Sequence, residues 1–133
     1  MIRLLERSLR YAYLDFDSSA QDLLTKSGLS SLETERQRAI VIEAYKINTG
    51  IAPKYLDSLV QKRHIGYGTR QLFSFYLPRY KTVKYGKHSL RFLMPYLWND
   101  LPNRFKALPD ICEFKQAIKS WEGYTCKCRL CWY

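Results

Sequence analysis

Between Ser58 and Asn99 the sequence contains no aspartate and no glutamate. That absence excludes a carboxylate-based catalytic or cation site within the stretch, and it leaves the bases there without acidic neighbours along the chain. Long apolar runs are missing too, and none approaches the roughly 20 residues that span a bilayer. The opening, Met1 to Arg7, is charged at Arg3, Glu6 and Arg7 and lacks the apolar centre of a secretory signal. An intracellular setting, nuclear or cytoplasmic, is therefore expected. The four cysteines then read as thiols or metal ligands rather than a disulfide framework. Histidine is scarce. His64 and His88 have no serine or cysteine at a recognisable spacing, so each reads as a surface residue or phosphate neighbour rather than a general base. No G-x-x-x-x-G-K-[ST] loop is present to cradle a nucleotide. Asp15 and Asp17 are too few carboxylates for a two-metal phosphoryl-transfer centre, and they follow a helical stripe where a turn uses such residues.

What the acid-free stretch does hold is base and ring. Lys62, Arg63, Arg70, Arg79, Lys81, Lys84, Lys87 and Arg91 are interleaved with Tyr67, Phe73, Phe75, Tyr76, Tyr80, Tyr85, Phe92, Tyr96 and Trp98. Cationic side chains neutralise phosphates and release counterions, and flat rings stack on unpaired bases. The competing reading is a solvated basic surface over a core that takes the rings. Tyr67, Tyr80 and Tyr85, beside glycines or bases, are the expected stacking platforms, whereas Phe92 and Trp98 are assigned to the core. Glycine beside a base at Gly68–Arg70 and Gly86–Lys87 lets backbone approach phosphate, though ordinary turns use the same pairs. A net charge of +10 over 133 residues points to a polyanion, nucleic acid ahead of an anionic membrane. The hydrophobic fraction of 47% with 26% charged residues is that of a globular chain long enough to bury a core.

Periodicity gives a mainly α fold, a small single helical domain over 1–122 followed by a Cys-rich tail at 123–133. Ile2, Leu5, Leu9 and Ala12 predict a helix over about 2–14, with Arg3, Arg7 and Arg10 on a solvated face. Ser18 with Gln21 resembles a capping box before a short helix that stops at Gly28. Ser30–Glu33 offers another, opening a long helix to about Asn48 with Leu32, Ala39, Ile40, Ala44 and Ile47 as its buried stripe. Gly50 ends that helix and Pro53 opens a short helical turn. Residues 60–86 predict extended and loop structure with room for one short β-ribbon. Helix resumes at Ser89–Trp98, where Pro95 argues against continuity. Leu101–Asn103 is a turn, and Asp110 with Glu113 caps a helix whose stripe is Ile111, Phe114, Ile118 and Trp121. In the irregular tail, Cys126, Cys128 and Cys131 form a C-x-C-x-x-C cluster that supplies three of the four ligands of a structural zinc site. Cys112, His64, His88 or a partner would complete it; a tail of free thiols is the alternative.

The order Glu6–Tyr11, Asp15–Ser19, Leu23-Leu24, Arg36–Ile40, Tyr45–Leu56, Thr69-Arg70, Thr82, Tyr85–Arg91, Leu97–Pro102, Phe114-Lys115, Ile118–Trp121 and the cysteine tail resembles the region downstream of the reverse transcriptase domain in non-LTR (LINE-type, jockey-like) retrotransposon polyproteins. The resemblance runs from about residue 4 to residue 131, and its specificity lies in combining Asn48-Thr49-Gly50-Ile51-Ala52-Pro53 with Leu97-Trp98-Asn99-Asp100-Leu101-Pro102. It implies a fragment without palm or polymerase aspartates, which lie upstream in such proteins. The implied role is non-catalytic: an accessory, thumb-adjacent region that holds RNA, DNA or an RNA/DNA hybrid, with the upstream polymerase domain as partner and a zinc- or nucleic-acid-binding tail. The alternative is a domain that only packs against the polymerase, a degenerate remnant when isolated.

Overall fold

A computed structural model of the chain describes residues 2–63 and 74–124. Helix dominates among them, and the chain divides into two compact units, Met1–Arg36 and Gln37–Tyr133.

In the first unit, α1 (Ile2–Tyr13) and α2 (Ala20–Ser27) enclose a loop held by Asp15 and Arg10. The Asp15 carboxylate accepts from the Ser18 backbone N–H at 3.1 Å and from its hydroxyl at 2.7 Å, which pulls the carboxyl below its ordinary value; Lys26 assists from 3.6 Å. This is turn chemistry. Arg10 is not a solvated base: it donates to the Phe16 carbonyl at 2.9 Å and pairs with Glu6 at 2.8 Å, while Arg3 and Arg7 remain exposed. The expected Ser18 cap is displaced by one residue. Ser19 is the N-cap, accepting from the Asp22 N–H at 3.2 Å, because Ser18 is already engaged by Asp15. Gly28 ends α2 at φ 66°, and the Leu29 N–H reaches the Leu24 carbonyl, the left-handed stop that glycine makes without a Cβ penalty. Leu9 and Leu23 are the buried apolar residues of this unit among the described residues.

The helix α3 (Leu32–Thr49) carries the unit boundary within it. Its buried residues are Val41, Ala44, Tyr45 and Ile47; the expected Leu32 and Ile40 are only half-buried and Ala39 is exposed. A 3₁₀ turn, Lys54–Leu59, follows Pro53. Then come α4 (Leu90–Asp100), α5 (Asn103–Lys106) and α6 (Ile111–Ile118). Helix α4 runs unbroken through Pro95, contrary to the sequence expectation. Proline removes a single hydrogen bond there, to the Arg91 carbonyl, while Phe92, Met94, Pro95, Leu97 and Trp98 are all buried. Asp110 caps α6 by accepting from the Cys112 N–H at 3.2 Å.

Trp98 is fully buried, with Phe75 and Phe114 at 5.6 and 6.3 Å between ring centroids; Phe114 in turn stacks on Tyr45 at 4.3 Å. A ring buried to this extent stabilises by about 4–6 kcal/mol from area alone. Two side-chain amides act as peptide groups around this core. Gln37 accepts from the Tyr124 N–H at 2.6 Å and donates to its carbonyl at 3.2 Å. Asn99 does the same to Phe75, both bonds at 2.9 Å. Arg38 closes the C-terminal end of α6, donating to the Lys119 and Trp121 carbonyls at 2.7 Å each.

Candidate nucleic-acid interface

The expected ribbon is a single antiparallel bridge between Lys62 and Phe75, flanked by Arg63 N–H to Ser74 carbonyl (3.0 Å) and Tyr76 N–H to Gln61 carbonyl (2.8 Å). The polar groups of Phe75 face the other way, and Asn99 takes both. Alternation along the strand buries Phe75, 2% exposed, and turns Tyr76 outward, 49% exposed. Fold and surface are joined here: the clamp that seats Phe75 in the core fixes the backbone that presents Tyr76.

From Tyr76 the chain runs without regular secondary structure, bending at Lys81, to a π-helical turn, Val83–Lys87, in which the Lys87 and His88 N–H groups bond the Thr82 and Val83 carbonyls. Such turns are rare and recur at functional sites. Gly86 is required by packing, since a Cβ there would stand 2.7 Å from the Tyr80 Cβ. Tyr80 meets the buried Phe92 edge-on at 4.8 Å between centroids yet stays 46% exposed. Tyr80, Gly86 and Phe92 thus draw the segment into a closed loop whose flanking residues are Arg79, Lys81, Tyr85, Lys87 and Arg91. Tyr85 is 77% exposed, and Leu77 and Val83 are exposed as well.

The expected contact residues do not all stand alike. Arg63, Arg79, Lys81 and Arg91 are exposed, and no ion pair involves them among the described residues. Lys62 reaches back to the Asn48 carbonyl at 3.0 Å, at the C-terminal end of α3. Lys87 is half-buried, and Lys84 sits on the π-turn. Phe92 and Trp98 are buried. Tyr67 and Arg70, with His64, lie outside the described residues, as do the metal candidates Cys126, Cys128 and Cys131. Cys112 is exposed, and among the described residues no three His, Cys, Asp or Glu side chains are grouped to hold a metal.

An open groove of about 260 Å³ is lined by Gln61, Tyr76, Pro78, Arg79 and Arg91, with Ser58 and Leu59. Its lining draws two arginines from distant points of the segment together with a tyrosine and a glutamine. Tyr76 and Gln61 were not among the expected site residues; the apolar–polar alternation at Phe75-Tyr76 is the signal that marks Tyr76 as outward-facing. A second, apolar groove of about 340 Å³ lies along Ile40, Ile42, Leu90 and Met94. No described helix is long and apolar enough to cross a membrane. Comparison of the chain with protein families, with curated proteins and with solved structures finds no match in any of the three.

Proposed function

We propose that this chain is a non-catalytic, nucleic-acid-binding accessory region of a non-LTR retrotransposon reverse transcriptase, with residues 76–91 as the working surface. The observation that carries the reading is an acid-free segment in which exposed rings, Tyr76, Tyr80 and Tyr85, alternate with exposed bases, Arg79, Lys81 and Arg91, that no ion pair engages among the described residues. Bases there act on phosphates and rings on nucleobases. The test is fluorescence anisotropy of labelled single-stranded RNA and DNA across a salt series. Five phosphate contacts, from Arg79, Lys81, Lys84, Lys87 and Arg91, give a slope of log affinity against log salt of about −3.5, at about 0.7 per contact. The combined change R79A/K81A/K84A lowers it to about −1.4 on the same basis. Absence of binding at low salt refutes the reading.

A second reading is favoured by the apolar groove along Ile40, Ile42, Leu90 and Met94. It makes the chain a domain that packs against the polymerase, with no independent binding role. Such a domain self-associates after nuclease and high-salt treatment. A nucleic-acid-binding module becomes monodisperse under the same treatment.

A further inference from the structure

Resting on the nucleic-acid reading, we propose that the groove between Tyr76 and Arg91 takes one nucleotide of a single strand and so makes the chain select unpaired over duplex nucleic acid. The groove's size, about 260 Å³, suits a single nucleotide rather than a helix. Its walls are of three kinds. Tyr76 and Pro78 supply flat apolar faces, Arg79 and Arg91 supply permanent cations, and Gln61 supplies an amide that both donates and accepts. This division matches the parts of a nucleotide: a base face to stack, a phosphate to neutralise, a base edge to hydrogen-bond. The Tyr76 ring is available for stacking, since it is half exposed and no ring or cation contact involves it among the described residues. Arg79 and Arg91 are likewise without a carboxylate partner there.

Selectivity follows from geometry. In a duplex both faces of every base are covered by neighbours, so Tyr76 gains nothing unless a base is unstacked at a cost. In a single strand a face is free. The arginines contact phosphates of either form, so they add affinity without choosing. The ring chooses. RNA and DNA single strands share this chemistry, and the groove takes both.

The experiment uses the full chain, labelled oligouridylate, oligothymidylate and a mixed-sequence duplex, with Tyr76→Ala, Tyr76→Phe and Arg91→Ala variants. Circular dichroism and urea midpoints first establish that each variant keeps the fold. Tyr76→Ala is expected to weaken single-strand binding by about 5- to 150-fold, the range of one base–ring stack. It leaves duplex affinity and the salt slope unchanged, and Tyr76→Phe binds like the parent. Arg91→Ala lowers the single-strand salt slope by about 0.7. If the parent binds single strands but Tyr76→Ala does not weaken them, or weakens the duplex equally, the groove assignment fails and the broader reading stands. If the parent binds no nucleic acid at low salt, both fail together.

Discussion

Replacing Asn99 by alanine removes the one side chain that satisfies both backbone polar groups of Phe75. The amide accepts from the Phe75 N–H and donates to its carbonyl, each at 2.9 Å, and Phe75 is 2% exposed. A buried backbone group left without a partner costs about 1–3 kcal/mol. Asn99 itself is exposed, so water reaches the vacated space in part and the lower end applies to each group. The expected loss is about 2–3 kcal/mol, read as a lower urea midpoint with an unchanged slope. Asn99→Asp is the sharper variant. Its carboxylate still accepts from the Phe75 N–H but sets a second negative oxygen against the carbonyl, so at neutral pH it is destabilised at least as much. Protonation restores a donor. The folded state therefore holds this carboxyl's pKa above its unfolded value, and the deficit shrinks as pH falls toward and below the ordinary carboxylate range. Because Tyr76 follows Phe75 directly, single-strand affinity should fall in both variants under conditions where each remains folded. A loss below about 0.5 kcal/mol in Asn99→Ala, within the range of an uninvolved surface change, refutes the clamp.

Gly86→Ala places a Cβ 2.7 Å from the Tyr80 Cβ and is expected to cost about 1–3 kcal/mol, measured by thermal or urea unfolding; unchanged stability would show that the loop closes otherwise. Arg38→Ala removes donors to the Lys119 and Trp121 carbonyls and should cost about 1.5–3 kcal/mol, while Arg38→Lys, which cannot supply the planar fork, recovers less than half of it. In alkali two buried groups act oppositely. Burial raises the Tyr45 pKa above its ordinary 10.0, so its contribution is complete below that pH and is lost as pH rises beyond it. Burial lowers Lys106 below 10.5, so the penalty of its buried charge is relieved as pH climbs from its folded value toward 10.5. Tyr45→Phe, at the loss of its 2.8 Å bond to the Leu108 carbonyl, should flatten the alkaline decline; stability curves that stay parallel to the parent's above pH 10 would contradict the assignment.

How much was legible in the chain depends on how local the deciding physics is. Gly28 and Gly50 read as helix stops because a left-handed residue is a local requirement, and both adopt it, at φ 66° and 76°. Phe114 and Ile118 read as core because α6 has only one apolar face. The stripe of α3 was legible in part: Ala44 and Ile47 are buried as expected, but Ala39, Ile40, Val41 and Ile42 put apolar residues nearly all round the helix, so the sequence alone did not single out Val41 and Tyr45 over Ala39 and Ile40. The α2 cap slipped by one because Ser18 and Ser19 each have a polar residue three positions on; Asp15 decides between them by engaging Ser18. Leu97-Trp98-Asn99-Asp100-Leu101-Pro102, conspicuous in the sequence, resolves into structural roles: three buried side chains and the Phe75 clamp. The groove was not legible, since it needs the pairing of 61–63 with 74–76 to bring Gln61 and Tyr76 near Arg91.

The measurement closest to the central claim is photocrosslinking of a 4-thiouridine-containing single strand to the intact chain, followed by peptide mapping. Crosslinks concentrated at Tyr76, Tyr80 or Tyr85, and suppressed by raised salt, are the predicted result. Crosslinks confined to α1, α2 or α6, or none at low salt, would contradict the assignment of residues 76–91 as the working surface.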